Sequence, residues 1–251
     1  MYPRTYRSLT NNYVRSIIYL LVCTVLPFYW LGTHLDLITS TICDRATEIL
    51  EFVLPQASVE TLSMPFSKFG TMYYLDVAQL TSKPENMWMI YLSIAVIFVL
   101  CLIKKNRFKP LSLFLMFEVG GFLINCILFQ AETFPYTMLD FSELYMVQQI
   151  GIWLFFIVIY GITTAFLGSR GYMYKVLSTF MLMVYSLLVG FIRYVVFLYI
   201  LSIGSSIYMY LMFFTFGPLF DFLYLVSIYG LLVDRLIKVY EVNGKQDWLW
   251  Y

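Results

Sequence analysis

Six apolar runs of membrane-spanning length constrain this chain more than any other feature of its sequence. A transmembrane helix needs about 17–25 predominantly apolar residues, and the runs follow one another along the chain. They cover residues 16–32, 87–103, 111–129, 150–168, 176–201 and 207–233. The sequence therefore predicts an all-α fold, a polytopic membrane helix bundle with about six transmembrane helices.

The composition supports this fold class and excludes others. Of the 251 residues, 61% are hydrophobic and only 12% are charged, whereas a soluble domain is about 45–50% apolar and about 25% charged. A soluble protein of this size has too little polar surface to cover so much apolar material. These values exclude a secreted disulfide scaffold, a disordered regulator and a free-standing nucleic-acid-binding protein, so no nucleic-acid partner is expected.

The cysteine and histidine content removes several kinds of chemistry. The chain has 4 cysteines, none in a CxxC pair, and its single histidine is His34. A zinc site or a Ser-His-Asp triad within the last four apolar runs is therefore excluded. No cofactor motif or glycine-rich phosphate loop is visible. The sequence predicts neither a metal site nor a cofactor.

The distribution of Lys and Arg predicts the orientation. With the N-terminus inside, the inner segments hold 12 of these residues and the outer segments hold 3. Cytoplasmic loops of membrane proteins carry such an excess. We therefore expect a multi-pass protein of the cell membrane with both termini cytoplasmic. Residues 1–251 are taken as a single integral membrane domain.

Residues 33–86 form a long outer segment between the first two runs. Apolar residues recur at a spacing of three to four between residues 35 and 53, which predicts an amphipathic helix at the outer interface or on the bundle. Pro55 ends this helix, and residues 65–79 are expected to be aromatic and irregular. The segment is either a loop that caps the bundle or one wall of an outer binding site.

Three ionisable residues lie inside apolar runs, namely Glu118, Arg193 and Asp221. Intramembrane charges are costly and mark functional candidates. Arg193 can reach Asp221 on the next antiparallel helix because an arginine side chain extends several ångströms. Three interpretations remain: an ion pair that locks the bundle, an anion-binding arginine facing an outer cavity, or a proton relay through Glu118.

The pair Gly217 and Pro218 stands near the middle of the last apolar run. Proline removes a backbone hydrogen bond and kinks a helix. Carbonyl groups freed at that depth need partners from neighbouring residues or from a cavity. The pair therefore predicts either a plain kink or a break shaped by a ligand.

The last three runs resemble the exosortase/archaeosortase family of membrane-embedded cysteine transpeptidases, in its Gram-positive branch. A basic turn, GSRGYMYK, is followed by GFIRYVVFLYIL with Arg193 near its outer end, and then by IYMYLMFFTFGPLFDFLYLV. Residues 136–238 carry the resemblance and form an exosortase-like core. Arg193 matches the family's active-site arginine, and the resemblance implies that it stabilises an oxyanion or orients a substrate.

The sequence departs from this family at its catalytic positions. The cysteine nucleophile is expected in residues 142–151 and the histidine in residues 210–215, and neither segment contains one. Gly190 stands near the position of a family asparagine. Thiol catalysis needs a thiolate, commonly assisted by a neighbouring base. The resemblance thus implies a degenerate member without catalytic residues.

Three functions are consistent with these observations. The first, suggested by the resemblance, is a non-catalytic accessory subunit of exopolysaccharide synthesis or export, as in biofilms, with a membrane glycosyltransferase as partner. The second is a transferase acting on a lipid-linked or cell-surface substrate with Arg193 and the outer carboxylates Asp140 and Glu143. The third is a small ion-coupled transporter that uses Glu118, Asp221 and Arg193.

Overall fold

The protein is mostly helical. The computed structural model describes residues 7–9, 12–80, 87–104, 109–129, 134–168, 170–242 and 248–250. The helices are α1 (Tyr13–Thr33), α2 (Leu35–Val53), α3 (Met87–Lys104), α4 (Lys109–Leu128), α5 (Met138–Ala165), α6 (Tyr172–Ile203) and α7 (Pro218–Val242). The strands are β1 (Arg7–Leu9), β2 (Val59–Pro65), β3 (Thr71–Val77) and β4 (Trp248–Trp250).

Four helical stretches are long and apolar enough to cross a membrane. They are α1, α5, α6 and the run Ser206–Tyr240, which includes most of α7. In the hairpin of α3 and α4, the apolar stretches within the described residues are shorter, Ile94–Ile103 and Ser112–Leu128. The membrane class is supported by these four candidate spans, while a total of six spans stays a prediction.

The first span packs against α5 and α6 through small and hydroxyl-bearing residues. Ser16 Oγ donates to the carbonyl of Ala165 at 2.8 Å, and Tyr19 Oη lies 2.8 Å from Thr179 Oγ1. Thr24, in a π-helical turn of α1, lies directly against Gly161. A side chain at position 161 would collide with Thr24, so this glycine allows the close approach of the two helices.

The amphipathic helix of the outer segment is present as α2. It ends at Val53, one residue before the Leu54 cap and two before Pro55. One face is buried against the bundle, while the exposed face carries the ion pair of Arg45 with Glu48 at 2.8 Å. Thr39 on the buried face accepts a hydrogen bond from the backbone N–H of Tyr73 at 3.1 Å. The helix therefore packs on the chain segment that follows it.

That following segment forms a β-hairpin, so the prediction of an irregular stretch at 65–79 was wrong. Strands β2 and β3 pair antiparallel from Val59↔Val77 to Pro65↔Thr71. The turn between them contains Gly70 at φ 110°, a conformation that glycine adopts without strain. Because β3 buries side chains such as Met72 and Leu75 against α2 and α5, tertiary packing stabilises it. The fold is thus helical with a small sheet, rather than all-α.

The last apolar run is interrupted at the pair Gly217 and Pro218, so of the two predicted alternatives the structure has a break; that a ligand shapes it stays a prediction. The chain passes through a 3₁₀ turn (Ser206–Tyr208) and a π turn (Leu211–Thr215) before α7 begins at Pro218. Proline is favoured in the first turn of a helix, where its missing N–H has no intrahelical partner to lose. Pro218 therefore starts the last long helix instead of bending its middle.

The two ends of the described chain lie side by side. Strand β1 pairs antiparallel with β4, with Arg7 opposite Trp250. At the same end of the bundle, the backbone N–H of Arg170 donates to Tyr240 Oη at 2.8 Å. We call this the inner end, following the orientation that the sequence predicts, and the opposite end, with the β2–β3 hairpin, the outer end.

Candidate functional site

Arg193 of α6 is buried between α5 and α7 and is 7% exposed. Its Nε donates to Tyr145 Oη at 2.9 Å, and its Nη2 donates to Gln149 Oε1 at 2.6 Å. Nη2 also donates to Asp221 Oδ2 at 2.8 Å, which forms a buried ion pair. The contact between Arg193 and Asp221 that the sequence allowed is therefore present in the fold.

The remaining N–H donors of Arg193 bind carbonyl groups in the short non-helical turn just before α7. Nη1 donates to the carbonyl oxygens of Gly217 at 2.7 Å and Phe216 at 3.3 Å. These carbonyls precede Pro218, where the helical hydrogen-bond ladder is interrupted. Unpaired carbonyls are tolerated in a membrane protein only where protein groups or water satisfy them. Arg193 donates to both carbonyls, and the carbonyl of Gly217 also accepts from the backbone N–H of Asp221 at 3.3 Å.

The second carboxylate oxygen of Asp221 is bound by Tyr224 of α7, which in turn contacts Ser186 of α6. Tyr224 Oη donates to Asp221 Oδ1 at 2.8 Å, and Tyr224 Oη also lies 2.8 Å from Ser186 Oγ. Because the tyrosine proton points to the carboxylate, the serine hydroxyl donates to the tyrosine oxygen. We call the group of Tyr145, Gln149, Ser186, Arg193, Asp221 and Tyr224 the Arg193 centre.

Gly190 makes room for the α5 side of this centre. Tyr145 and Gln149 are four residues apart on α5 and therefore share one face of the helix. Tyr145 Oη donates to the carbonyl of Gly190 at 2.9 Å. A Cβ atom at residue 190 would lie 2.7 Å from Gln149 Nε2 and 2.8 Å from its Cδ. Glycine at this position thus permits the contact of Gln149 with Arg193.

The hydrogen bonds of Arg193 account for its full donor capacity. A guanidinium group has five N–H donors, and Arg193 makes five hydrogen bonds, one from Nε and two from each Nη. An incoming anion would have to displace one of these internal acceptors. These hydrogen bonds fix α5, α6 and α7, and the turn before Pro218, in one relative arrangement.

The Arg193 centre lies at the outer limit of a membrane-spanning length. Arg193 follows the first residue of α6, Tyr172, by 21 positions, which is about 31 Å along the helix axis. The hydrocarbon core of a bilayer is about 30 Å thick. The centre therefore lies about one membrane thickness from the inner helix ends, beneath the hairpin and the outer turns.

The other predicted candidates do not join this centre. Glu118 is buried on α4, one turn before Gly121, against which Tyr210 packs. Asp140 forms the capping box of α5 with the N-cap residue Thr137, whose backbone N–H donates to Asp140 Oδ2 at 2.8 Å. Glu143 is half-buried on α5, two residues from Tyr145, so the two side chains point to different faces. Of the three ionisable residues inside apolar runs, the fold brings Arg193 and Asp221 into contact.

The cysteines and His34 also lie away from Arg193. The four cysteines are free and buried, and burial raises the pKa of the Cys43 thiol to about 12. His34 stacks on Trp30 with ring centroids 5.1 Å apart, at the junction of α1 and α2. Within the described ranges, no group of three or more His, Cys, Asp or Glu residues is placed to hold a metal ion.

Sequence reasoning missed four members of the centre, namely Tyr145, Gln149, Ser186 and Tyr224. The signal that points to them is helical spacing. Polar or hydroxyl-bearing residues recur at 142, 145 and 149 on α5, and Ser186 precedes Arg193 by seven positions, so each set lies on one helix face. In the segment 142–151 the sequence indicated a missing cysteine and the candidate Glu143, whereas the side chains that bind Arg193 there are Tyr145 and Gln149.

The fold and the centre define the class as a helical protein with four candidate membrane spans and a buried, internally paired arginine. No protein-family model, no curated protein and no solved structure matches this chain. The geometry of the Arg193 centre and of the outer surface therefore carries the functional argument.

Proposed function

We propose that this chain is a non-catalytic, multi-pass protein of the cell membrane that acts as an accessory subunit of a membrane complex. The observation that carries this proposal is the complete internal pairing of Arg193, whose five hydrogen bonds leave no free donor for a substrate. A catalytic or substrate-binding arginine keeps donors available for the developing charge of a reaction. An arginine with none available acts as a brace.

The brace fixes the outer part of the molecule to the spans. Arg193 contacts α5 through Tyr145 and α7 through Asp221, and it contacts the turn before α7 through the carbonyl of Gly217. Above this level, the hairpin is attached to the same helices, since the N–H of Leu75 donates to Tyr194 Oη at 2.9 Å. A rigid outer surface of this kind is what a subunit needs to present to a partner.

The outer part of α6 supplies an apolar face for such a partner. The 32 residues of α6 span about 48 Å, which exceeds the hydrocarbon thickness of about 30 Å even at the largest usual tilt of about 40°. Toward the outer end of α6, beyond that thickness, the side chains of Ile200 and Ile203 remain exposed. Lipid tails do not reach that height, so we propose that a protein covers this face.

The resemblance of residues 136–238 to the exosortase family suggests the identity of the partner. We propose a membrane glycosyltransferase, in a complex for exopolysaccharide synthesis or export. The transferase and transporter alternatives have less support from the geometry. Asp140 is committed to capping α5, and Glu118 lies on α4, apart from the described partners of Arg193.

Affinity purification tests this proposal. We expect the tagged protein, extracted from its native membranes in mild detergent, to carry a membrane glycosyltransferase in stoichiometric amount, identified by mass spectrometry. Ile200→Asn should abolish recovery of the partner while thermal stability is kept. Leu144→Asn is the matched control, because Leu144 is an exposed apolar residue of a neighbouring helix, α5, at the level of Arg193.

Arg193→Ala tests whether the hydrogen bonds of Arg193 stabilise the protein and its outer surface. Removing one partner of a buried ion pair costs about 3–5 kcal/mol, so this variant should lose thermal stability and partner together. Recovery of the wild-type protein alone and monodisperse, or an Arg193→Ala variant with unchanged stability and unchanged partner, would contradict the proposal.

A further inference from the structure

We propose that a cavity at the outer end of the bundle binds an oligosaccharide that carries no negative charge. The cavity has a volume of about 640 Å³ and lies between the end of β3, the start of α5 and Ser206. Cavities of about 300–1,000 Å³ hold small ligands, with a few polar groups that fix their orientation. This one combines aromatic, amide, hydroxyl and carboxylate groups.

Two aromatic rings form one wall of the cavity. Phe134 and Tyr136 lie with ring centroids 6.0 Å apart and tilted by 58°. Tyr136 is 52% exposed, although it stands next to the start of a well-capped helix. Aromatic side chains give large, rigid contact areas, and tyrosine adds a polar handle. Such a wall suits the flat apolar faces of sugar rings.

The opposite wall carries an amide held in a fixed position. Gln79 Nε2 donates to the carbonyl of Gly204 at 3.3 Å, and Gln79 Oε1 accepts from Ser206 Oγ at 3.3 Å. An amide has two N–H donors and two acceptor lone pairs. Gln79 therefore keeps one donor and one acceptor for a ligand hydroxyl, in an orientation set by the end of α6.

The charge of the cavity selects against anions. Asp76 lines the cavity and lies directly opposite Glu60 in the hairpin, and two carboxylates at such positions repel each other. A carboxylate accepts hydrogen bonds from sugar hydroxyl or ammonium groups but repels uronates and phosphates. The positive end of the α5 helix dipole already has a carboxylate beside it, because Asp140 forms the capping box with Thr137, and this carboxylate opposes a second anion there.

This inference goes beyond the accessory role, since it assigns a ligand to a surface separate from the Arg193 centre and from the apolar face of α6. It also stands on residues of three chain segments that only the fold brings together. Thr137, which contributes to the rim, is bound to Asp140 and is not needed as a ligand group.

Binding measurements on the full-length protein in lipid nanodiscs test the inference, since many detergents carry sugars of their own. The probes are cellohexaose, chitosan hexamer and a hexamer of galacturonic acid, titrated by microscale thermophoresis. We expect the first two to bind and the anionic hexamer to bind at least about tenfold more weakly. In Asp76→Asn, the affinities for cellohexaose and for the galacturonic acid hexamer should differ only a few-fold.

Variants of the two walls complete the test. Tyr136→Ala and Gln79→Ala should each weaken cellohexaose binding about tenfold. Phe52→Ala is the matched control, because Phe52 is an 87% exposed aromatic residue on α2 outside the cavity, and its binding should be unchanged.

Three results would overturn the inference: no binding of any probe, equal binding of the anionic probe, or equal losses in Phe52→Ala and Tyr136→Ala. Partner recovery is scored separately on the same variants. A wild-type protein that binds the neutral sugars but is recovered without a partner would contradict the proposed accessory role and leave the sugar site standing.

Discussion

Arg193 and Asp221 show how single residues make a buried charge tolerable in this protein. Two charges removed from water repay their desolvation only with good geometry and with hydrogen bonds to every remaining donor and acceptor. Here Tyr145, Gln149 and the carbonyl of Gly217 accept the other hydrogen bonds of Arg193. Tyr224 donates a hydrogen bond to the second carboxylate oxygen of Asp221. The centre depends equally on Gly190, which contributes only its backbone and the absence of a side chain.

Gly190→Ala is expected to destabilise the protein through this contact. The added Cβ would lie 2.7 Å from Gln149 Nε2, and overpacking of this kind costs about 1–3 kcal/mol. Gly151→Ala is the matched control, since a Cβ there meets nothing within 4 Å and alanine is the better helix former by about 0.5–1 kcal/mol.

Thermal unfolding in detergent distinguishes the two variants. Gly190→Ala should lower Tm, and Gly151→Ala should leave it unchanged or raise it slightly. Equal Tm values for the two variants would show that the close approach of Gln149 to residue 190 does not matter for the fold.

The elements of the outer end depend on each other rather than on their own propensities. Strand β3 is held at its centre by two hydroxyl groups, because the N–H of Leu75 donates to Tyr194 Oη at 2.9 Å and to Ser142 Oγ at 3.2 Å. An isolated two-stranded hairpin is marginal in water. The packing of β3 on α2, α5 and α6 therefore decides that residues 71–77 form a strand.

Tyr194→Phe tests this dependence at the level of the element. The substitution removes one acceptor from the Leu75 amide and leaves the ring packing in place, so we expect faster hydrogen exchange across β3 with unchanged exchange in α7. Tyr199→Phe is the control, because Tyr199 is a partly buried tyrosine of the same helix that packs against the same apolar core. Equal exchange rates of β3 in both variants would contradict a role for the Tyr194 hydroxyl.

At the scale of the whole molecule, the orientation in the membrane stays a prediction. The sequence predicts both termini on the cytoplasmic side from 12 inner against 3 outer basic residues. Strand β1 pairs with β4, so the two ends of the described chain lie next to each other. We expect the hairpin turn at Lys68 on the opposite side of the membrane.

Labelling of introduced cysteines on intact cells tests this topology. Lys68→Cys should react with a membrane-impermeant maleimide, and Lys238→Cys should react only after permeabilisation. The native thiols should stay silent, because they are buried. Cys43 is further protected because its pKa is raised to about 12. The fraction of the thiol that is the reactive thiolate falls tenfold with each pH unit below that value. The reverse labelling pattern would show the opposite orientation.

The sequence determined those properties that depend on composition and local spacing. The scarcity of charge defined a membrane-type helical protein, and the spacing of apolar residues located α2 and most helices within a few residues. The presence of charge inside apolar runs singled out Arg193 and Asp221. These features are readable because helix periodicity and hydropathy act over neighbouring residues.

The tertiary structure decided what depends on residues far apart in the chain. In the turn before Pro218, the carbonyls of Phe216 and Gly217 accept hydrogen bonds from Arg193, more than twenty positions earlier in the chain. The hairpin exists because Ser142 and Tyr194 bind Leu75 across separations of 67 and 119 residues. Hydrogen bonds and packing at such separations follow from how helices meet in space, and no local pattern in the sequence specifies them.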